Sequence, residues 1–273
     1  MTVSSTFTET AGLFYGSHID IMGTKLEAVI VNSNKDKIAQ CWKEIQEEVC
    51  RLDLLLNKFN PASELSSLNQ KAKIRPVKVK EELWNILNDC REYYDKTNGY
   101  FDVSLLNYTH VVFDSREQTL FFKDKNTELD LGGYGKGYAL EKIKQILLRS
   151  TISCALINFG NSSILAIGKH PYGDYWPIGI QNPYNPEKTL GIIQLNNNSM
   201  STSGNMPNHP KHILNPHTQK YMEEAKLMVV QMNNAVDAEV LSTALMVVPP
   251  KNRDEIISHF NPETFLLFDD LFL

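Results

Sequence analysis

Apolar positions recur along this chain in two rhythms. From His18 to Val31, HIDIMGTKLEAVIV alternates and is rich in β-branched residues, which predicts a strand with Gly23 as a bulge. Behind Ser33 as N-cap, Ile38, Trp42, Ile45, Val49, Leu52 and Leu56 follow at three- and four-residue steps, the mark of a long amphipathic helix. Pro61 breaks that rhythm within NKFNPASELSSLNQ, and KIRPVKV is a short strand whose proline suits a sheet edge. Leu83, Leu87, Cys90 and Tyr94 form the stripe of a second helix, from about Glu81 to Thr97, stopped by Asn98-Gly99. THVVFDSREQTLFFKD predicts a hairpin, and LDLGGYGKGYALEKIKQILLRS runs through a glycine cluster into a third helix. SCALINF, SSILAIG, WPIGIQN, LGIIQL and KLMVVQM read as strands. AVDAEVLSTALMVV reads as a helix stopped by Pro249-Pro250, before a short helix near Asp254 to Phe260 and a last strand, TFLLFDD. Between KLMVVQM and the strands before it, STSGNMPNHPKHILNPHTQK has almost nothing to bury and predicts a long polar connection.

Strands and helices mix without regular βαβ alternation, so the expected fold class is α+β: one compact domain of mixed strands and packed helices, with room for two lobes. Residues 1–12 read as a flexible N-terminal segment and 13–273 as the folded domain. With 42% hydrophobic and 22% charged residues, 273 residues can build a substantial core. A net charge of -5 argues against nucleic acid or an anionic membrane as partner. No apolar run reaches the length of a membrane span, and the first residues lack the basic start and apolar centre of a signal peptide. The chain as given therefore reads as cytoplasmic, or as exported or membrane-anchored if a leader precedes it. Cys41, Cys50, Cys90 and Cys154 lack C-x-x-C spacing, and three of them fall in helical patterns as small buried thiols.

Four places can carry chemistry. In DLGGYGKGYALEKI, Gly132, Gly133, Gly135 and Gly137 allow main-chain N–H groups close to a ligand, Lys136 adds charge, and the next helix points its positive end at the same place. That suits a pyrophosphate, although neither Walker A nor GxGxxG spacing is met, and a plain strand-to-helix turn also explains the glycines. In NFGNSSILAIG, Gly160 and Asn161 interrupt an apolar strand pair, as a close approach to a ligand or as a hairpin turn. Glu239 and Thr243 stand four apart, so their oxygens fall one helical turn apart on one face, an arrangement that can hold a hard cation with help from a main-chain carbonyl. A helix-dipole role for Glu239 and a back-bonded Thr243 explain the same residues, with Asp237 as the N-cap. Last, Ser201, Thr202 and Ser203 before Gly204 form a hydroxyl-lined turn, and His212 is a candidate acid/base, whereas His209 and His217 read as solvent-exposed.

In this order the pieces MGT (Met22, Gly23, Thr24), FNPASELSSLNQ, NGYFDVS, DLGGYGKGYAL, NFGNSSILAIG, STSGN, HILNPHTQ and AEVLSTAL resemble one family, the ApbE-type flavin transferases, FAD:protein FMN transferases formerly labelled thiamine-biosynthesis lipoproteins. The resemblance covers most of the chain. It implies FAD as substrate, Mg2+ as cofactor, and transfer of FMN to a Ser or Thr hydroxyl of an acceptor protein with release of AMP, or hydrolysis of FAD to FMN and AMP. It implies that Met22 and Phe59 flank the flavin ring, that Gly132, Gly133 and Lys136 approach the nucleotide, and that Gly135, Glu239 and Thr243 hold the metal. It further implies that Asn158, Gly160, Ser201, Thr202 and His212 border the flavin nucleotide, and that His212, Lys136 and Ser203 carry the chemistry. The chain departs from the family's pattern at several of these places: Phe59 stands for a tyrosine, Gly135 for an alanine, Asn161 for a glycine, Asn215 for an aspartate, and Glu239 for the aspartate metal ligand. The segment between NGYFDVS and the glycine loop is also shorter than in most members. The alternative is a paralogue that binds flavin nucleotide without cleaving it, as a carrier or partner-binding module.

Overall fold

The alternation that predicts one strand near the start of the chain builds a hairpin. In the structure, a computed structural model that describes residues 2–105, 108–205, 213–269 and 271, β2 (Leu13–Ile21) and β3 (Thr24–Val31) pair antiparallel. Met22 (φ 47°) and Gly23 (φ 73°) form the two-residue connection between them. Two positive φ angles in succession match the right-handed strand twist, so Gly23 is a turn residue and not a bulge; the register shift lies at Asp20. The first residues are not loose either: β1 (Thr2–Thr8) pairs along its length with β2, from Thr2 opposite Ile19 to Thr8 opposite Leu13. Threonine, valine and phenylalanine suit a strand, and the open edge of β2 supplies the partner.

The first helix, α1 (Lys35–Leu56), is capped by Asn34, whose side chain accepts from Lys37 N at 2.9 Å, one residue beyond the expected Ser33. After Pro61 the chain re-enters a helix, α2 (Glu64–Lys71), because Ser63 caps it by accepting from Ser66 N. Then come β4 (Val77–Lys78), α3 (Glu81–Lys96), β5 (Val111–Asp114) and β6 (Thr119–Phe122), with β4 at the edge of a small sheet ordered β4-β6-β5. The glycine cluster leads into α4 (Gly135–Arg149). The strands β7 (Ala155–Phe159), β8 (Ser163–Ile167), β9 (Trp176–Asn182), β10 (Asn185–Leu195) and β11 (Ser199–Gly204) follow. The short pair β12 (Leu214–Asn215) and β13 (Lys220–Tyr221) precedes β14 (Leu227–Met232), α5 (Ala235–Val247), α6 (Pro250–Ser258) and β15 (Thr264–Phe268). Asn234, not Asp237, caps α5.

Eight strands form one sheet in the order β1-β2-β3-β7-β8-β11-β14-β15, antiparallel throughout. This is the expected α+β class. Central strands bury both faces: in β14, Met228 and Val230 join the helix-side core, whereas Leu227 and Val229 join a second cluster beneath the β9–β10 hairpin with Trp176, Ile180 and Ile193. Helices α1, α4 and α5 cover the other side. α5 lies between the sheet and α4, and of its 13 residues only Asp237 and Thr243 escape burial. Each fully buried leucine there, such as Leu241, contributes roughly 2 kcal/mol.

The largest correction concerns Ser201, Thr202 and Ser203. They are not a turn but part of β11, hydrogen-bonded to β8 on one side and β14 on the other. Strand alternation sends Ser201 and Ser203 toward α5, and Thr202 to the opposite face beside Val229.

Candidate active site

At one end of the large sheet, the Met22-Gly23 turn, the Gly160-Asn161 turn and the last residues of β11 lie side by side. Strand pairing fixes this: Leu26 sits opposite Phe159 and Ser163 opposite Ser201. Gly160 (φ 66°) and Asn161 (φ 55°) make the tight β7–β8 connection, closed by Asn158 Nδ2 donating to Asn161 Oδ1 and by the Asn161 main-chain N–H donating to Asn158 Oδ1. A Cβ on Gly160 would stand 2.7 Å from Thr24 Oγ1, so only glycine lets the two turns touch. NFGNSS thus forms a hairpin turn, and the close approach at Gly160 is to Thr24 of the neighbouring turn.

The glycine loop meets this end from above. A Cβ on Gly133 would lie 3.3 Å from Thr243 Oγ1 and 3.2 Å from the Phe101 ring, and one on Gly135 would lie 3.1 Å from Met22 Cε. Gly132 N donates to Asp130 Oδ1, which holds the loop's entry. Tyr134 gives α4 no side-chain cap, so the first N–H groups of that helix need outside partners. Glu239 supplies one: its Oε2 accepts the Gly137 N–H, and its Oε1 accepts Lys136 Nζ at 2.5 Å. Lys136 Nζ also reaches Gly132 O at 3.3 Å. The spacing of Glu239 and Thr243 therefore does place both on the site side of α5, with the carboxylate already serving α4.

A chain of hydroxyls continues from there. Ser203 Oγ lies 2.8 Å from Ser242 Oγ and 3.4 Å from Thr243 Oγ1, and Ser242 Oγ donates to Ser201 Oγ at 3.2 Å. Beside Ser201, the buried Ser163 Oγ has no partner among the described residues, a vacant hydrogen-bonding position facing the site.

The ring-binding side is built from the end of α1. Buried Asp53 accepts Met22 N at 3.1 Å and Asn57 Nδ2 at 2.9 Å, so one carboxylate fixes both the Met22 turn and the loop carrying Phe59. Phe59 is 83% exposed and has the Lys58 ammonium 4.9 Å from its ring centre. Lys58 Nζ pairs with Asp130 Oδ2 at 3.1 Å; burial opposes its charge, but Asp130 and Glu128 outweigh that and raise its pKa. The loop bearing the exposed ring is thus tied to the glycine loop. Behind it, burial raises the Asp102 pKa although Ser104 and Tyr108 donate to it.

Of the sequence candidates, Met22, Gly23, Thr24, Asn158, Gly160, Gly132, Gly133, Gly135, Lys136, Ser201, Ser203, Glu239 and Thr243 converge at this end. Thr202 points to the other face, and Phe59 belongs through Asp53. His212 and His209 lie outside the described residues. His217 is exposed yet stacked on Tyr100, 4.1 Å between ring centres, with Nε2 3.0 Å from Asn98 O. Asp53, Ser163 and Ser242 were not singled out in the sequence. Asp53 and Ser242 had a faint signal, being polar residues set within otherwise apolar helical runs.

The donor set fits a hard cation in kind: one carboxylate, hydroxyls and main-chain oxygens. Among the described residues no three His, Cys, Asp or Glu side chains cluster as a metal centre of their own, so a cation here depends on Glu239, Thr243 and the ligand's own oxygens. A glycine loop at a helix N-terminus, facing a carboxylate and hydroxyl on a second helix, is an arrangement suited to a phosphate-bearing group.

The ApbE family model matches residues 22–107 and 103–268, and the chain belongs to that family. It is 23% identical to the FAD:protein FMN transferase of Escherichia coli (strain K12) over 277 residues, covering 86% of this chain and 79% of that one. It is 26% identical to the transferase of the same name from Chlamydia muridarum over 251 residues, covering 78% and 77%. The fold matches the crystal structure of the ApbE protein of Thermotoga maritima with a TM-score of 0.80 at 22% identity, over 93% of this chain and 94% of that one. For the flavin transferase ApbE of Vibrio cholerae the TM-score is 0.79 at 17% identity, over 98% and 97%.

Proposed function

We propose that this protein is a magnesium-dependent FAD:protein FMN transferase. The observation that carries the reading is the meeting of the glycine loop and the α4 N-terminus with Glu239 and Thr243, beside a turn and a loop that offer Met22 and Phe59 to a flat ring. In the proposed reaction, an acceptor Ser or Thr oxygen bonds to the FMN phosphorus, the diphosphate P–O bond breaks, and AMP leaves. The acceptor's proton passes to His212, whose place in the site rests on the family resemblance. Lys136 and the positive N-terminal end of α4 hold the diphosphate, and Ser203 orients its oxygens. Glu239, Thr243 and the Gly135 carbonyl would hold Mg2+, which would supply charge neutralisation. With water in place of the acceptor the products are FMN and AMP.

A second reading has one specific support: both Glu239 oxygens are already occupied by Lys136 and Gly137. On that reading the protein binds FAD without cleaving it. Incubating the protein with FAD, with and without Mg2+, and separating the nucleotides decides the matter. AMP that appears only with Mg2+ and disappears in Glu239→Ala supports the transferase. Intact FAD co-eluting with the protein, even when an acceptor is supplied, supports the binding module.

A further inference from the structure

The state of Glu239 carries a consequence for how the site is loaded, which rests on the metal-assisted reading above. Its side chain is 3% exposed, and Oε1 is in contact with an ammonium while Oε2 holds a main-chain N–H. A Mg2+ ion takes oxygen ligands at ~2.1 Å and tolerates little distortion. It cannot share Oε1 with an ammonium already at 2.5 Å without placing two positive charges side by side in a buried setting. One of the two must leave. Drawing α4 and α5 apart to make room costs packing along their contact, which is tight at Gly137, where an added Cβ would stand 2.6 Å from Ala235 O. The Lys136 arm is the movable part, since it is flexible and 22% exposed, and among the described residues its other bond is a 3.3 Å contact with Gly132 O. Asp130, the carboxylate at the loop's entry, is already paired with Lys58 and offers no second berth.

We propose that Lys136 is a resident surrogate cation. Its ammonium neutralises Glu239 until a divalent cation takes Oε1, and the released ammonium then swings to the mouth of the glycine loop and meets the nucleotide's diphosphate. Cation arrival and phosphate capture are thereby coupled: each is weak alone and strong with the other.

The test is a calorimetric titration of the full chain with Mg2+ alone, without nucleotide, comparing wild type with Lys136→Met and Lys136→Arg. Lys136→Met is expected to bind Mg2+ about ten-fold more tightly or better, the scale of losing a competing charge-assisted hydrogen bond, and Lys136→Arg no more tightly than wild type. FAD should raise the Mg2+ affinity of wild type by a larger factor than that of Lys136→Met. If Lys136→Met does not fold, Lys136→Gln keeps a donor without the charge and carries the same expectation. Equal or weaker Mg2+ binding by the neutral variants overturns the surrogate-cation role and leaves the transferase reading standing. If no protein binds Mg2+ while FAD binds, the metal site and this inference fall together; if FAD does not bind either, the functional reading falls as well.

Discussion

Gly137→Ala puts a methyl group where α4 and α5 meet most closely. The new Cβ would lie 2.6 Å from Ala235 O and 2.8 Å from Val236 Cα, both main-chain atoms, so no side-chain rotation relieves the clash. The helices have to part by several tenths of an ångström. Overpacking of this kind costs about 1–3 kcal/mol. Parting also stretches the bond from Gly137 N–H to the buried Glu239 carboxylate, worth about 1.5–3 kcal/mol if lost. Against this, alanine gains about 1 kcal/mol over glycine within a helix. The net loss is about 2–4 kcal/mol, which at ~2–4 °C per kcal/mol lowers Tm by roughly 5–15 °C. Gly135→Ala is the matched control, because its Cβ would press on the flexible end of Met22, at 3.1 Å from Cε, and otherwise meet Leu56 Cδ1 at an ordinary 3.9 Å. Its stability should stay within about 1 kcal/mol of wild type. Thermal and urea melts of both variants, read beside an FAD titration, provide the assay. Gly137→Ala melting with wild type, or Gly135→Ala melting below it, would refute the helix-contact argument.

Three further outcomes are expected. Burial holds the His18 pKa below the ordinary imidazole value of about 6.5, and neither ring nitrogen has a partner among the described residues. The unfolded chain then binds the proton more readily, so this residue's contribution is whole above pH ~6.5 and is lost as pH falls toward the lowered folded value. His18→Leu should flatten the acid side of the urea-midpoint profile, and identical slopes for the two proteins would contradict this. Ser242→Ala removes the link between Ser203 and Ser201 and should lower kcat for FAD cleavage more than it changes FAD affinity, at about 1–2 kcal/mol in stability; unchanged kcat would leave the hydroxyl chain without a catalytic part. Phe59→Ala, at an exposed position, should leave stability within about 0.5 kcal/mol while weakening FAD binding by about ten-fold; full FAD affinity would remove Phe59 from the site.

The long helices could be read from the sequence because α1 and α3 each bury one stripe, and a single stripe is what periodicity reports. Strand β11 could not, for a reason internal to its role. Its helix-facing positions are serines that serve the site, so it lacks the apolar alternation that marks an ordinary central strand, and its place comes from β8 and β14 pairing across it. The short α2 was hidden by Pro61, though Ser63 restarts a helix two residues later. Within the site, the four-residue spacing of Glu239 and Thr243 was visible, as was the glycine loop. The Lys136–Glu239 contact was not: it joins residues 103 apart, and only the packing of α4 on α5 brings them together. Asp53 shows the same limit, since its hold on Met22 N spans 31 residues, from helix α1 to the β2–β3 turn.

Strand β1 forms one edge of the sheet, and β11 lies five places further along it. With strands spaced ~4.8 Å apart, the first residues of the chain and the β11 hydroxyls are separated by about 24 Å of hydrogen-bonded backbone. A dye, bead or surface linker attached at Thr8, which stands opposite Leu13 at the end of β2 away from the Met22 turn, would therefore sit well clear of bound nucleotide. Single immobilised molecules could then be watched turning over FAD by its fluorescence.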